Sequence, residues 1–367
     1  MTTQPDDALL NDYEQAFAEL FNAPVYDLTQ TEKEALLLPL LLRLHTLHVE
    51  RSEHYRRLFH HFSTATSLTE FPFLAVRLFK QFALKSVADD DVFRVLQSSG
   101  TTAQVPARVF LDKATSARQS KALVKIMQQF IGKQRLPMLI IDSPAIMKKG
   151  AFSARAAGIQ GMAFFGRQPV YALNDDMSLN VEAVTAFARQ HQQGPVLLFG
   201  FTFMVWLHFV KALQQAEVSV SLPQGVLIHS GGWKKLTDQQ VDNATFKRAL
   251  QQTCGLTRVH NFYGMAEQVG SVFVECEAGH LHAPLLADVV IRDPYTLAPL
   301  PQGQTGLIQV LSAIPSSYPG HSILTEDKGR VLGTDDCPCG RKGRYFEVHG
   351  RLPKTEVRGC SDTGVTP

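Results

Sequence analysis

Between Thr31 and Phe62 the apolar residues Leu36, Leu37, Leu40, Leu41, Leu44, Leu47, Tyr55, Leu58 and Phe59 recur at helical spacing among basic residues and five histidines. This predicts a helical N-terminal region over residues 1–90. From Val92 the pattern changes. Short apolar, β-branched runs alternate with helical stretches: Met138 to Ile141, Val196 to Phe199, Val226 to Ile228, Val272 to Glu275, Val289 to Ile291 and Leu307 to Leu311. Such alternation predicts an α/β fold around a largely buried sheet, placed here at residues 91–302. Beyond Gly303 the helical pattern thins while Gly, Pro and charge increase, through Tyr318-Pro-Gly-His321 and Cys337-Pro-Cys-Gly340. A smaller β-rich subdomain is expected over 303–350, then a hinge and tail over 351–367 whose small, polar end, Gly359 to Pro367, is expected to be mobile. There is no internal repeat.

Composition fits a folded enzyme. The 367 residues are 45% hydrophobic and 19% charged, enough for a large core and too apolar for a long disordered segment. Lys plus Arg number 36 and Asp plus Glu 34, a formal charge of +2, so no global field draws the chain onto nucleic acid or anionic lipid. The two most apolar stretches read as core. Ala35 to Leu42 is short, and Val196 to Val210 is interrupted by Gly200, Thr202 and His208, whereas a membrane span needs about 20 nearly unbroken apolar residues. No integral membrane segment is expected. Met1 to Asp7 is polar and acidic, unlike a signal peptide, and a cytoplasmic protein is expected. Five cysteines, an odd count spread along the chain, argue against a disulfide framework and for thiols in metal or nucleophile chemistry. His45 and His48 share a helix face and His60 adjoins His61, but without an interleaved carboxylate or cysteine they read as core or solvated histidines.

Three segments carry candidate chemistry. Ser98-Ser99-Gly100-Thr101-Thr102 follows the apolar run Val92 to Leu96, and its glycine, hydroxyls and backbone N–H groups can wrap phosphate oxygens. It lacks the spacing and lysine of a P-loop, and a plain Ser/Thr-rich turn is the competing reading. His260-Asn-Phe-Tyr263-Gly264-Met-Ala-Glu267 places an aromatic face, a glycine and a carboxylate in a short turn, suited to a purine and to Mg²⁺ held against phosphates, or equally to a core Tyr beside a surface Glu. Ile228-His-Ser230-Gly231-Gly232-Trp233 is a strand followed by a glycine turn, where bare backbone lets a planar ligand approach.

The order of these segments, continued by Thr325-Glu326-Asp327 and Gly350-Arg351, resembles the core motifs of the adenylate-forming enzymes, which join a carboxylate to AMP. Within that superfamily, residues 200 to 204 (GFTFM), Ser322 to Asp327, Cys337-Pro-Cys-Gly340 and Arg358-Gly-Cys360-Ser-Asp362 resemble the LuxE-type acyl-protein synthetases, the fatty acid:luciferin-component ligases of bacterial bioluminescence. The resemblance runs from about Phe71 to Asp362. It implies the N-terminal-type fold of the adenylate-forming enzymes, ATP and Mg²⁺ as reactants, activation of a fatty acid or other carboxylic acid as acyl-AMP, and transfer to an enzyme cysteine for delivery to an acyl reductase partner. By the same resemblance Ser98, Ser99, Gly100, Thr101 and Thr102 form the phosphate loop, with Thr101 among the catalytic residues. Ser230, Gly231 and Gly232 form the adenine-side loop, and Tyr263 with Gly264 the adenine-stacking turn. Glu267 is the Mg²⁺ carboxylate, Asp327 and Arg351 the ribose pair, and Cys360 the acylated thiol.

Three departures from the superfamily matter. Ala103 stands where the phosphate loop often continues with Gly, and Ala266 where a hydroxyl residue is common. The lost contact is worth roughly 1.5 to 3 kcal/mol, so adenylation is expected to be slowed rather than abolished. The chain ends 16 residues after Arg351, where the superfamily usually continues into a small mobile domain bearing a catalytic lysine, so no full C-terminal mobile domain is expected. A Lys354-to-Asp362 arm takes its place, and Arg358 favours the thiolate of Cys360. An incidental surface thiol is the alternative.

Cys276, His282, Cys337 and Cys339 have the ligand types of a Cys₃His structural Zn²⁺ site, with His280 a rival ligand and reduced thiols packed at a sheet end the competing reading. Phenylacetate:CoA ligases, which resemble this chain distantly, carry similar segments. Cys254 reads as packing. The apolar stretch with Phe201, Phe203, Met204 and Trp206 is the candidate wall for an acyl chain, or simply core. An adenylating carboxylate:CoA ligase, or a synthetase of a non-luminescent pathway, is the runner-up function. A zinc-stabilised binding module without catalysis is the third.

Overall fold

The computed structural model describes residues 5–97, 106–148, 154–233 and 240–352. Its first helices, Pro5–Asn22, Gln30–Arg51 and Glu53–Phe59, occupy the expected N-terminal region. Helix Gln30–Arg51 starts at a capping box, in which the Thr29 side chain takes the Glu32 N–H and the Glu32 carboxylate takes the Thr29 N–H at 2.8 Å. The apolar stripe of these helices, including Tyr13, Phe17, Leu37, Leu41 and Leu44, is buried against Leu285, Leu286, Leu311 and Ile314 of the β region. The Tyr13 hydroxyl closes this seam by donating to the Ala313 carbonyl at 2.7 Å.

Fourteen strands follow among the described residues. They are β1 (Leu74–Ala75), β2 (Arg94–Gln97), β3 (Arg108–Leu111), β4 (Leu136–Ile140), β5 (Gly166–Tyr171), β6 (Val196–Phe201) and β7 (Gly225–Ser230). The rest are β8 (Arg258–Tyr263), β9 (Phe273–Glu275), β10 (Leu281–His282), β11 (Ala287–Arg292), β12 (Gly306–Ser312), β13 (Ser322–Thr334) and β14 (Arg344–Arg351). β2 and β3 form a separate hairpin, and the others join one mixed sheet in the order β11-β12-β13-β14-β10-β9-β8-β7-β6-β4-β5, with β1 beside β13. Neighbours from β5 to β8 run parallel, and from β8 to β11 the pairs are antiparallel. The segment expected as a β-rich subdomain thus continues the sheet through β12, β13 and β14.

The parallel half is buried on both faces, as its continuous apolar runs require. Alternation assigns the faces: Leu198 and Leu227 enter a cluster with Phe246, Leu250 and Phe209, while Leu197, Val226 and Ile228 enter another with Ile126, Phe130 and Ile159. Helices Val181–His191 and Asn243–Cys254 cover the first face, and Lys113–Ile131 and Ala154–Ala163 the second. Among the described residues no helix is long and apolar enough to cross a membrane.

Candidate active site and metal cluster

The C-terminal ends of β6, β7 and β8 deliver Phe201, Ser230 and Tyr263 to one edge of the sheet, where parallel α/β sheets bind ligands. Thr202 pins the turn after β7: its hydroxyl lies 2.9 Å from His229 Nδ1, 3.2 Å from the Ser230 carbonyl and 2.6 Å from the Gly231 carbonyl. Gly231 has φ +82°, and a Cβ there would stand 3.2 Å from the Phe201 ring, so both conformation and space call for glycine. Ser230, Gly231 and Gly232 therefore form a held turn. Thr202 lay inside a quoted motif, but nothing in its spacing revealed this role.

The expected His260-to-Glu267 turn has a different start: His260 to Tyr263 are the last residues of β8. Polar side chains disguise the strand, because His260 is buried with Nδ1 on the Glu275 carbonyl at 2.8 Å and the Asn261 N–H is held by the Glu275 carboxylate at 3.0 Å. Tyr263 packs near Phe273 and Phe346 and donates its hydroxyl to Asp327 Oδ2 at 2.8 Å. Burial, then the Asp327 charge, holds its phenol well above the usual range, so it stays a neutral donor. Asp327 faces Arg351 across the β13/β14 register, with Arg351 Nε 3.5 Å from Asp327 Oδ1. The structure thus brings Tyr263, Asp327 and Arg351 together.

Glu267 lies in the short helical turn Ala266–Gln268 and is 6% exposed. Burial raises its carboxyl pKa, its own backbone N–H, Lys80 and Arg351 pull it down, and Asp327 adds a smaller upward push. The turn is clamped: Tyr318 donates to the Glu267 carbonyl at 2.9 Å, and the Gln268 amide donates to the carbonyls of Val310 at 3.1 Å and Gly320 at 2.8 Å. Ser98, Ser99, Gly100, Thr101 and Thr102 lie outside the described residues, as does Cys360. The strands flanking the first group, β2 and β3, pair in register from Arg94 opposite Leu111 to Gln97 opposite Arg108.

The four acyl-wall residues separate. Phe201 is half-buried and touches both clusters of the parallel sheet, with its ring 3.0 Å from where a Cβ on Gly158 would stand. Phe203 packs on the edge of one cluster. Met204 and Trp206 are core side chains, Trp206 lying against Phe246 and edge-on to Trp233. The chain winds into wider π-type turns over Val205–Lys211.

A second centre forms where β9, β10 and the β13–β14 connection meet. One ligand atom from each of Cys276, His282, Cys337 and Cys339 lies within 4.8 Å of the others. Cys276 Sγ is 3.8 Å from Cys337 Sγ, and Cys339 Sγ 3.4 Å from His282 Nε2. A tetrahedral Zn²⁺ with bonds of about 2.3 Å to sulfur and 2.0–2.1 Å to nitrogen needs edges of about 3.8 and 3.5 Å, so the donor set and spacing fit that ion. Burial pushes the Cys337 thiol up to about 12 and the His282 imidazole down to about 4, which keeps His282 neutral, as a metal ligand must be. His280, the rival, stands outside the four with Nδ1 3.4 Å from Cys337 Sγ. The cluster connects to the first site through β14: Tyr345 stacks on His282, Phe346 meets Tyr263, and Arg351 ends the strand.

Comparison with known proteins gives a family and a fold. The profile of the family described as "Acyl-protein synthetase, LuxE" matches residues 10–365. The chain is 23% identical over 327 residues to a long-chain-fatty-acid–luciferin-component ligase of Aliivibrio fischeri, covering 86% of this chain and 84% of that one. It is likewise 23% identical over 299 residues to the ligase of the same name from Vibrio harveyi, covering 80% and 77%. Among solved structures it is similar to 2-hydroxyisobutyryl-CoA ligase in an open conformation with 2-HIB-AMP and CoA, at a TM-score of 0.64 and 16% identity, over 91% of this chain and 78% of that one. The post-adenylation state of that ligase gives a TM-score of 0.65 at 16% identity, over 89% and 69%. At such identity the likeness is one of fold.

Proposed function

Because the chain belongs to the LuxE acyl-protein synthetase family, we propose that it activates a fatty acid with ATP as acyl-AMP and carries the acyl group as a thioester on Cys360 for an acyl reductase. The observation that carries the adenylation step is the convergence of Tyr263, Glu267, Asp327 and Arg351 at the sheet edge. A carboxylate oxygen of the acid attacks the α-phosphorus of ATP, and pyrophosphate leaves with the electrons of the broken P–O bond. The Cys360 thiolate then attacks the acyl carbon, its proton having passed to solvent, and AMP leaves.

Tyr263 offers an aromatic face to the base while its hydroxyl fixes Asp327, whose remaining lone pairs can accept from ribose hydroxyls. Arg351 supplies positive charge beside them. Glu267 would hold Mg²⁺, which when bound neutralises phosphate charge as pyrophosphate departs. A single buried carboxylate suits an ion that arrives with ATP and keeps most of its positions for phosphate and water. Phe201, half-buried and touching both clusters at the end of β6, is the residue we place against the acyl chain. Each buried methylene contributes about 0.8 kcal/mol. Cys276, His282, Cys337 and Cys339 would hold a structural Zn²⁺ that fixes β14. A cytoplasmic setting suits these reduced thiols.

Intact mass spectrometry tests this reading. After incubation with ATP, Mg²⁺ and tetradecanoic acid the protein should gain one tetradecanoyl group, removable by hydroxylamine, and Cys360→Ser should gain none. Equal labelling of Cys360→Ser would remove Cys360 from the mechanism. An unlabelled chain that makes acyl-CoA would establish a CoA ligase instead.

A further inference from the structure

Lys80 belongs to none of the motifs, yet the fold brings it to the adenylating site. The segment before it is a short parallel strand, with Leu74 opposite Ile323 and Ala75 opposite Leu324, and the Val76 N–H extends the ladder to the Leu324 carbonyl at 2.9 Å. Arg77 then donates to Glu326, the neighbour of Asp327, at 3.0 Å. The chain turns into a single helical turn, Leu78–Gln81, whose Phe79 is fully buried and edge-on to Tyr318 at 6.2 Å. Tyr318 is the residue whose hydroxyl holds the Glu267 carbonyl. The helical turn that carries Lys80 is thereby fixed from one side by the Arg77 contact beside Asp327 and from the other by the Phe79 contact to the residue that holds the Glu267 turn. Lys80 is half-buried, and its charge acts on Glu267.

The location discriminates between the two anions of the reaction. β3 packs against both the Leu78–Gln81 turn and the Glu267 turn, so Lys80 stands with the stem of the hairpin and the carboxylate assigned to Mg²⁺. Phe201, the residue placed against the acid, lies at the end of β6, across β8 and β7 from this corner. An ammonium is a compact charge with three donors and suits polyphosphate oxygens.

We propose that Lys80 is a further substrate-contacting residue, whose ammonium donates to phosphate oxygens of ATP and stays with the pyrophosphate as it leaves. The proposal rests on the adenylation reading above, and its test has a separate arm. Titration calorimetry of the full chain with ATP and Mg²⁺, without any carboxylic acid, measures phosphate binding without chemistry. Lys80→Met should weaken ATP binding about 10-fold or more, the size of a lost charge-assisted hydrogen bond, and Lys80→Arg should stay within about threefold of the native chain. In acid-dependent pyrophosphate exchange, Lys80→Met should raise KM for ATP and leave KM for tetradecanoic acid unchanged. Should Lys80→Met melt early, Lys80→Gln carries the same comparison. Native-like ATP binding by the charge-removed variant, or equal loss in Lys80→Arg, overturns the proposal. A native chain that binds ATP without acid-dependent exchange would overturn the adenylation reading, while the phosphate contact is decided by the binding arm.

Discussion

Replacing Cys337 by alanine should cost the protein its zinc, about 5 °C of melting temperature and much of its affinity for ATP. Cys337 supplies one of the four corners, 3.8 Å from Cys276, and its removal leaves Cys276, Cys339 and His282. An ion present at about 1,000 times its Kd stabilises the folded state by about 4 kcal/mol. Unfolding entropy of about 2.1 cal/mol/K per residue gives roughly 0.8 kcal/mol/K for 367 residues, hence the shift of about 5 °C. The effect on ATP follows from β14, where His282 lies opposite Tyr345, Phe346 packs on Tyr263, and Arg351 faces Asp327. Elemental analysis of protein purified without chelators should find one zinc per chain in the native protein and in Cys254→Ala, whose thiol is buried in a cluster away from the four ligands, and little in Cys337→Ala. Native protein without zinc, or Cys337→Ala with unchanged zinc and melting temperature, would refute the reasoning.

Two further outcomes are expected. Lys33→Met should destabilise the protein by about 3 kcal/mol, because it removes one of the cations that compensate the fully buried Asp288, 3.1 Å away, and leaves Arg344 at 3.2 Å as the one other cation paired with it among the described residues; an unchanged melting temperature would contradict this. Stability should be full above about pH 6.5 and fall as pH drops toward 4. Burial lowers the pKa of His48 to about 3, of His229 to about 4 and of His321 well below its usual value, so the unfolded chain takes up these protons first. Each contributes up to about 1.4 kcal/mol per pH unit in that window. His48→Gln should therefore flatten the melting-temperature profile between pH 6 and 4.5, and a flat native profile would contradict neutral burial.

The parallel half of the sheet was legible because strands buried on both faces must be apolar, as in Val196 to Phe199 and Val226 to Ile228. β8 was not, since it carries a buried His260 and a half-buried Asn261 held by Glu275 of β9, a partner that adjacent residues do not reveal. The pairing of Asp327 with Arg351 needed the register of β13 and β14, and the gathering of Cys276 and His282 with Cys337 and Cys339 needed that fold, although the residue types alone named the four ligands. Met204 and Trp206 show the reverse, since an apolar stripe reads the same whether it lines a channel or fills a core. Lys80 carries no motif, and the pairing of β1 with β13 together with the seating of Phe79 on Tyr318 brings its helical turn to the Glu267 turn.

Formation of an acyl adenylate at these residues has a direct signature. Exchange of radiolabelled pyrophosphate into ATP tests it most directly. Exchange should appear with Mg²⁺ and tetradecanoic acid, vanish when the acid is omitted, and fall sharply in Glu267→Gln while Cys360→Ser retains it. Exchange that ignores the acid, or none from folded protein that binds ATP, would contradict the account.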